Sequence, residues 1–120
     1  MNNKHLFVFV IAFMLIWSCS KDKTSGEITP FECDETISFS DEVLPLISNN
    51  CSTSGCHSAS SGAGGYIFTN YDNIFESREI ILKAIKHESG VVPMPFGQDQ
   101  LPPEQIELIE CWIEQGAMDN

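Results

Sequence analysis

The feature that most constrains this chain is the segment Cys51-Ser52-Thr53-Ser54-Gly55-Cys56-His57, in which a histidine directly follows the second of two cysteines. Two thiols and an adjacent imidazole can bond the vinyl groups of a haem and ligate its iron, close a small disulfide loop, or bind a metal ion. The usual haem-attachment spacing leaves two residues between the cysteines, whereas this chain has four, all of them small. Features elsewhere in the chain must therefore decide between these three chemistries.

The N-terminus has the features of a secretory signal. A basic residue, Lys4, precedes an uncharged apolar run, LFVFVIAFMLIW, that extends from Leu6 to Trp17 and is followed by Ser18. A basic start, an apolar run of about 7–15 residues and a small residue before the cut describe a signal peptide. A membrane-spanning helix would need about 20 apolar residues. We therefore expect residues 1–18 to be a signal peptide that is removed.

Cys19 is the expected site of lipidation, because Leu15-Ile16-Trp17-Ser18-Cys19 resembles a bacterial lipobox. The residues that follow, SKDKTSGEITP, are polar, carry charges of both signs and lack aromatic side chains, so they predict a flexible tether. Several acyl chains on one cysteine would give stable membrane anchoring, whereas a single chain is marginal. Residues 19–32 are thus expected to be the lipidated cysteine and tether of an exported cell-envelope lipoprotein, on the periplasmic side or the cell surface.

The acidic composition argues against nucleic acid as a partner. The chain has 17 Asp and Glu residues against 6 Lys and Arg residues, a formal net charge of −11. Binding to phosphate backbones requires clustered Lys or Arg side chains. The charge suits a soluble module that docks a cationic partner, without identifying that partner.

The five cysteines can be assigned in two ways. Export places them in an oxidising compartment, where thiols are usually paired in disulfides or bonded to another group. If Cys19 is lipidated and Cys51 and Cys56 hold a haem, then Cys33 and Cys111 remain and can form a disulfide. In the alternative assignment, Cys51 pairs with Cys56 and no haem is bound. Neither assignment leaves an odd thiol, so the count does not separate them.

Hydrophobic periodicity predicts an all-α domain. Ser40 is the expected N-cap of a short helix that ends near Asn49 and leads into Cys51. One helical turn is expected at residues 73–75, followed by a second helix that Ser77 caps and that runs from about 78 to 87. The last helix is expected to open at Leu101-Pro102-Pro103-Glu104 and to run to Gln115, with Gly116 just past its end.

Met94 lies between two prolines in the segment Val91-Val92-Pro93-Met94-Pro95-Phe96-Gly97. Proline fixes its own φ and biases the preceding residue away from the α region, so this segment is predicted to be extended and stiff. A methionine on a stiff loop has a defined direction for its sulfur. Because methionine and histidine are a common pair of haem ligands, Met94 is the candidate partner of His57.

Taken in order, these motifs resemble the small cytochrome c-like lipoproteins, related to the planctomycete-type cytochrome c domain and to class I cytochromes c. The resemblance covers residues 33–120 and rests on C-x4-C-H, the Gly/Ser loop after it, Y-D-N-I, V-P-M-P-F and the C-terminal C-W-I-E-Q-G-A. It implies three to four helices around one covalent haem c. It also implies that Cys51 and Cys56 form the thioether bonds, that His57 is the proximal ligand and that Met94 is the distal ligand.

The function that the resemblance implies is single-electron transfer with redox partner proteins at the cell envelope. The apolar residues expected to surround the ring are Ile67, Phe68, Tyr71, Phe75, Ile81, Ile85, Val92, Phe96, Ile109 and Trp112. An enzymatic, peroxidase-like activity is expected only if Met94 does not bind the iron.

Two alternatives remain open at the level of the sequence. The first is a haem-free, disulfide-bonded extracytoplasmic binding module. The second is a zinc knuckle formed by Cys51, Cys56, His57 and His87, in which the adjacency of Cys56 and His57 would strain tetrahedral ligation. His87 is otherwise expected to be a solvated residue at a helix end.

Overall fold

The computed structural model describes residues 33–120, and within this range it contains three α-helices and no strand. We name the helices α1 (Leu44–Asn50), α2 (Tyr71–Ile85) and α3 (Pro103–Glu114). The predicted all-α class is therefore confirmed for the described part of the chain. The predicted signal peptide, the lipidation of Cys19 and the tether lie outside the described residues. No helix among residues 33–120 is long and apolar enough to cross a membrane.

A π-helical segment, Phe39–Val43, continues directly into α1. Its N-cap is Ser38, not the predicted Ser40: the Ser38 hydroxyl accepts a hydrogen bond from the Asp41 backbone N–H at 3.2 Å. The Glu42 carboxylate in turn accepts one from the Ser38 N–H at 2.8 Å. This reciprocal arrangement satisfies backbone donors that a helix start leaves unpaired, and it places the cap two residues earlier than the sequence pattern indicated.

Helix α2 is one continuous helix rather than the predicted short turn followed by a second helix. It begins after Asn70, whose side-chain oxygen accepts a hydrogen bond from the Asn73 N–H at 3.0 Å. Because Asn70 supplies the cap, Ser77 lies in the helix interior and caps nothing. The buried residues Ile74, Ile81, Ala84 and Ile85 form a single apolar face along the whole helix.

Helix α3 agrees with its prediction, beginning at Pro103 and ending at Glu114. Gly116 follows with a left-handed φ of 99°, and its N–H donates to the Ile113 carbonyl. The Ala117 N–H donates to the Trp112 carbonyl at 2.8 Å. These two bonds form a Schellman motif, which favours glycine at the left-handed position.

The core is centred on Trp112, which is 1% exposed. The rings of Phe39 and Tyr71 pack with it, with centroid distances of 5.6 Å from Phe39 to Trp112 and 5.1 Å between Phe39 and Tyr71. The Tyr71 hydroxyl donates to the Ala117 carbonyl at 2.9 Å, and the Trp112 indole N–H donates to the Met118 carbonyl at 3.0 Å. The polar atoms of both aromatic residues are thereby satisfied, as burial requires.

The segment before α1 is tied to α3 and to the residues after it. A disulfide joins Cys33 to Cys111, with their Cα atoms 5.5 Å apart, as the cysteine assignment predicted. The Gln115 side chain accepts from the Ile37 N–H at 2.8 Å and donates to the Glu35 carbonyl at 2.7 Å. The Asn120 side chain accepts from the Phe39 N–H at 2.8 Å. The two ends of the described region are thus held together by one covalent link and several hydrogen bonds.

Removal of this disulfide should destabilise the domain without unfolding it. Because Cys33 and Cys111 are separated by 78 residues, loss of the cross-link should lower the free energy of unfolding by about 2–4 kcal/mol. Urea denaturation of a Cys33→Ala/Cys111→Ala double variant measures this loss, with Ser48→Ala, an exposed position, as the control. An unchanged midpoint in the double variant would contradict the prediction.

Candidate functional site

The loop that contains the two thiols and the imidazole begins at the C-terminal end of α1. The Cys51 and Ser52 N–H groups both donate to the Ile47 carbonyl, at 2.8 Å and 3.0 Å, so the helix delivers Cys51 in a fixed position. The Cys56 N–H donates to the Thr53 carbonyl, which closes a turn through Gly55 at φ 86°. That turn accommodates the two extra residues, because glycine adopts a left-handed φ without a steric penalty.

The two ends of this loop meet. The His57 N–H donates to the Cys51 carbonyl at 3.0 Å, and the Ala63 N–H donates to the Cys56 carbonyl at 2.9 Å. The longer spacing between the cysteines therefore does not move Cys51 away from the Cys56-His57 pair. Instead, the additional residues form an exposed turn at Thr53, Ser54 and Gly55.

Neither thiol of this loop is part of a disulfide in the structure. Cys56 is exposed, whereas Cys51 is half-buried and packs against the hydrophobic core. Burial, and to a lesser degree the neighbouring Cys56 thiol, together raise the pKa of Cys51 to about 11. Cys51 is therefore held as a neutral thiol at physiological pH, and the two thiols differ in accessibility.

His57 is the buried polar side chain of this region, with 9% of its surface exposed. Its Nδ1 lies 3.2 Å from the Tyr66 carbonyl oxygen, so Nδ1–H donates, and in the neutral ring the lone pair is on Nε2. The ring packs on Phe68 with a centroid distance of 4.6 Å. No hydrogen bond from a described residue reaches Nε2. A histidine that ligates a metal is usually oriented in this way, through its second ring nitrogen.

The predicted distal ligand, Met94, lies on a separate loop after α2. This loop is not extended as predicted: it bends at Met94 and Pro95, and the Gln98 N–H donates to the Pro95 carbonyl at 3.2 Å. Gly97, at φ 69°, provides the left-handed conformation that closes this turn. Met94 is half-buried against the core, and its N–H donates to the Ala84 carbonyl at 3.0 Å. Met94 therefore has a defined position, set by α2 rather than by the two prolines alone.

Apolar side chains are exposed on the same two loops. Tyr66 and Ile67 follow His57 and are exposed, while Val92 and Phe96 flank Met94 and are 55% and 77% exposed. The other residues expected to surround a haem are buried or half-buried in the core: Phe68, Tyr71, Phe75, Ile81, Ile85, Ile109 and Trp112. Within residues 33–120, four of the five exposed large hydrophobic residues thus lie on the two loops that contain the candidate ligands, and such a concentration of exposed apolar side chains is typical of a binding surface.

Two surface cavities of the described region lie away from these residues. One, of about 380 Å³, is beside the Cys33–Cys111 disulfide, and the other, of about 610 Å³, lies between Lys86 and Leu101. Neither is lined by Cys51, His57 or Met94. The zinc alternative receives no support from the geometry, because no group of three or more His, Cys, Asp or Glu side chains within residues 33–120 could hold a metal ion.

Two contacts of this region were not foreseen from the sequence. One is the Tyr66 carbonyl that orients His57, a main-chain contact across nine residues that side-chain patterns do not reveal. The other involves His87, which is exposed as expected but whose Nε2 lies 3.0 Å from the Met94 carbonyl oxygen. The sequence signal for this second contact was His87 itself, which occupies the position after a helix where glycine is usual.

The two loop thiols should react with alkylating reagents at very different rates. At pH 8 the raised pKa of Cys51 lowers its thiolate fraction by about 100-fold relative to an ordinary thiol, because the thiolate is the reactive form. In protein produced without haem, iodoacetamide should therefore modify Cys56 first, and Cys51 should become reactive only as the pH approaches 11. Peptide mass mapping over a pH series measures both rates. Equal rates at pH 8 would show that Cys51 is not buried.

Similarity to known proteins does not assign this chain to a family, since no protein-family model, no curated protein and no solved structure matches it. The haem ligands therefore stay predictions that rest on the sequence motifs. The structure adds the geometry of two loops, one containing Cys51, Cys56 and His57 and the other containing Met94.

Proposed function

We propose that this protein is a single-electron carrier of the bacterial cell envelope that binds one haem c covalently. Cys51 and Cys56 form the thioether bonds, His57 is the proximal axial ligand and Met94 is the distal axial ligand. The domain of residues 33–120 is anchored to the membrane through the lipidated Cys19 and the tether that follows it. Its redox partners are proteins with a cationic docking surface, in keeping with the net charge of −11.

The observation that carries this proposal is the orientation of His57. Its Nδ1–H is used by the Tyr66 carbonyl, its ring is buried against Phe68, and its Nε2 has no hydrogen-bond partner among the described residues. Among the described residues, Gln105 Oε1 is the one buried side-chain N or O atom without a partner, so Nε2 of His57 reaches solvent and is accessible to a metal. The immediately preceding Cys56, with Cys51 held nearby by the backbone, makes haem iron the metal that suits this donor set.

The remaining residues supply what the ring would need. Both thiols are unpaired, and the closed 51–57 loop keeps them on one short segment. Met94 provides a thioether sulfur on a loop that α2 holds in place. The exposed Tyr66, Ile67, Val92 and Phe96 would cover the ring and exclude water from it.

When bound, a haem supplies an iron centre that gains and loses one electron, with a potential set by its ligands, its burial and nearby hydrogen bonds. The contribution of the chain is to hold that centre rigidly. The hydrogen bond from Nδ1–H to the Tyr66 carbonyl keeps the imidazole in one orientation and makes Nε2 a more basic ligand for a metal. Met94, whose backbone is anchored to α2, would occupy the second ligand position of the iron and would thereby disfavour binding of peroxide or other small ligands.

Export of the full chain in a host with a haem-attachment system should yield covalent haem. A denaturing gel stained for haem peroxidase activity should show one band at the size of the protein. The band should be lost in the Cys51→Ala/Cys56→Ala double variant and retained in Cys33→Ala/Cys111→Ala, which removes the same number of thiols outside the loop. A wild-type protein without the band would contradict the proposal and favour a haem-free disulfide-bonded binding module.

Substitution of the distal ligand should change the optical spectrum in a specific way. Met94→Ala should abolish the weak charge-transfer band from methionine sulfur to oxidised haem iron, because no other sulfur is proposed at that position. Met118→Ala is the matched control, since Met118 is exposed and lies after α3, and it should leave the band unchanged. A spectrum that is identical in Met94→Ala and the wild type would show that Met94 does not bind the iron.

A further inference from the structure

The C-terminal end of α2 contains a histidine in a backbone conformation that normally belongs to glycine. His87 has φ 53°, its N–H donates to the Ala84 carbonyl at 3.2 Å, and the Glu88 N–H donates to the Lys83 carbonyl at 3.0 Å. These bonds form a Schellman motif with His87 at the left-handed position. A residue with a β-carbon is disfavoured there relative to glycine.

The same chain uses glycine for the same motif at the end of α3. Gly116 occupies the left-handed position after α3, at φ 99°. No atom lies within 4 Å of the position that a β-carbon would take there. The helix-capping motif by itself therefore gives no reason for a histidine after α2. A reason is found in what the histidine side chain contacts.

The His87 ring is directed toward the loop of the proposed distal ligand. Its Nε2 lies 3.0 Å from the Met94 carbonyl oxygen, so Nε2–H donates to that oxygen. The N–H group of Met94 is also bound, because it donates to the Ala84 carbonyl at 3.0 Å. The N–H of Met94 is thus bound to the last turn of α2, and its carbonyl is bound to His87, two residues past the end of that helix.

The rest of the segment is held by the same helix end. The Lys86 N–H donates to the Leu82 carbonyl at 3.0 Å, and the Gln100 side chain donates to the Ile85 carbonyl at 3.1 Å. The terminal carbonyls of α2, which a helix leaves unpaired, are therefore used to fix the segment from 86 to 100. Among these contacts, the one from His87 is the side-chain bond made to Met94 itself.

We propose that His87 is a positioning residue that fixes the backbone of Met94 and so directs its sulfur toward the iron. The inference rests on the proposed function for the identity of the ligand, while the contact itself is a property of the fold. His87 does not touch the iron or the ring; it acts through the peptide group of Met94.

Hydrogen exchange of the exported full chain tests this role directly, whatever its haem content. The Met94 amide is compared with the Ile109 amide of α3 in the same molecule. His87→Gly keeps the left-handed turn without strain but removes the ring. Because the hydrogen bond to the Met94 carbonyl is lost, exchange at Met94 should be about tenfold faster, while exchange at Ile109 should be unaffected. His87→Gln keeps an amide donor of similar reach and should exchange more slowly at Met94 than His87→Gly does.

Three results would overturn the proposal: unchanged exchange at Met94 in His87→Gly, equal acceleration at Met94 and Ile109, or exchange in His87→Gln as fast as in His87→Gly. In haem-loaded samples, the methionine–iron band should weaken in His87→Gly and recover in His87→Gln. A haem-stained gel of the same samples keeps the two questions apart. Absence of haem there would refute the proposed function, while the exchange rates would still decide whether His87 holds Met94.

Discussion

The packing of Phe39, Tyr71 and Trp112 is the interaction on which the rest of the described fold depends, because each ring comes from a different helical element. Phe39 opens the segment that leads into α1, Tyr71 opens α2, and Trp112 lies on α3. The full burial of Trp112 makes its loss costly, and replacement of a buried aromatic residue by alanine typically costs about 3–5 kcal/mol. The disulfide and the hydrogen bonds of Gln115 and Asn120 reinforce the same junction from outside.

This junction matters for function because both candidate ligand loops begin where a helix ends. The C-terminal end of α1 delivers the loop with His57, and the C-terminal end of α2 delivers the loop with Met94. Once the three helices are packed, both loops have fixed positions, because each is hydrogen-bonded to carbonyls in the last turn of its own helix. Under the proposed function, the backbones of both ligand residues would already be fixed before haem binds, which would limit the reorganisation that accompanies gain or loss of an electron.

Much of the fold could be predicted from local signals. The bounds of α3 follow from Pro103 and Gly116, and the Cys33–Cys111 pairing follows from the cysteine assignment. The continuity of α2 was missed because serine and asparagine are similarly favoured as N-cap residues, so the sequence did not show that Asn70, and not Ser77, caps the helix. The bend at Met94 and the His87 contact were missed for a different reason, since they depend on which carbonyls at the end of α2 remain available. Such contacts between loops and helix ends arise only once the chain is folded.

The proposed electron carrier requires that Cys51 and Cys56 are joined to one haem and not to each other. Mass analysis of a peptide that spans residues 51–57, cut from the denatured exported protein without reduction, tests it most directly. This peptide should retain the mass of one intact haem, bound through both sulfurs. A peptide of unmodified mass less two hydrogens, which would mean a Cys51–Cys56 disulfide, would contradict it.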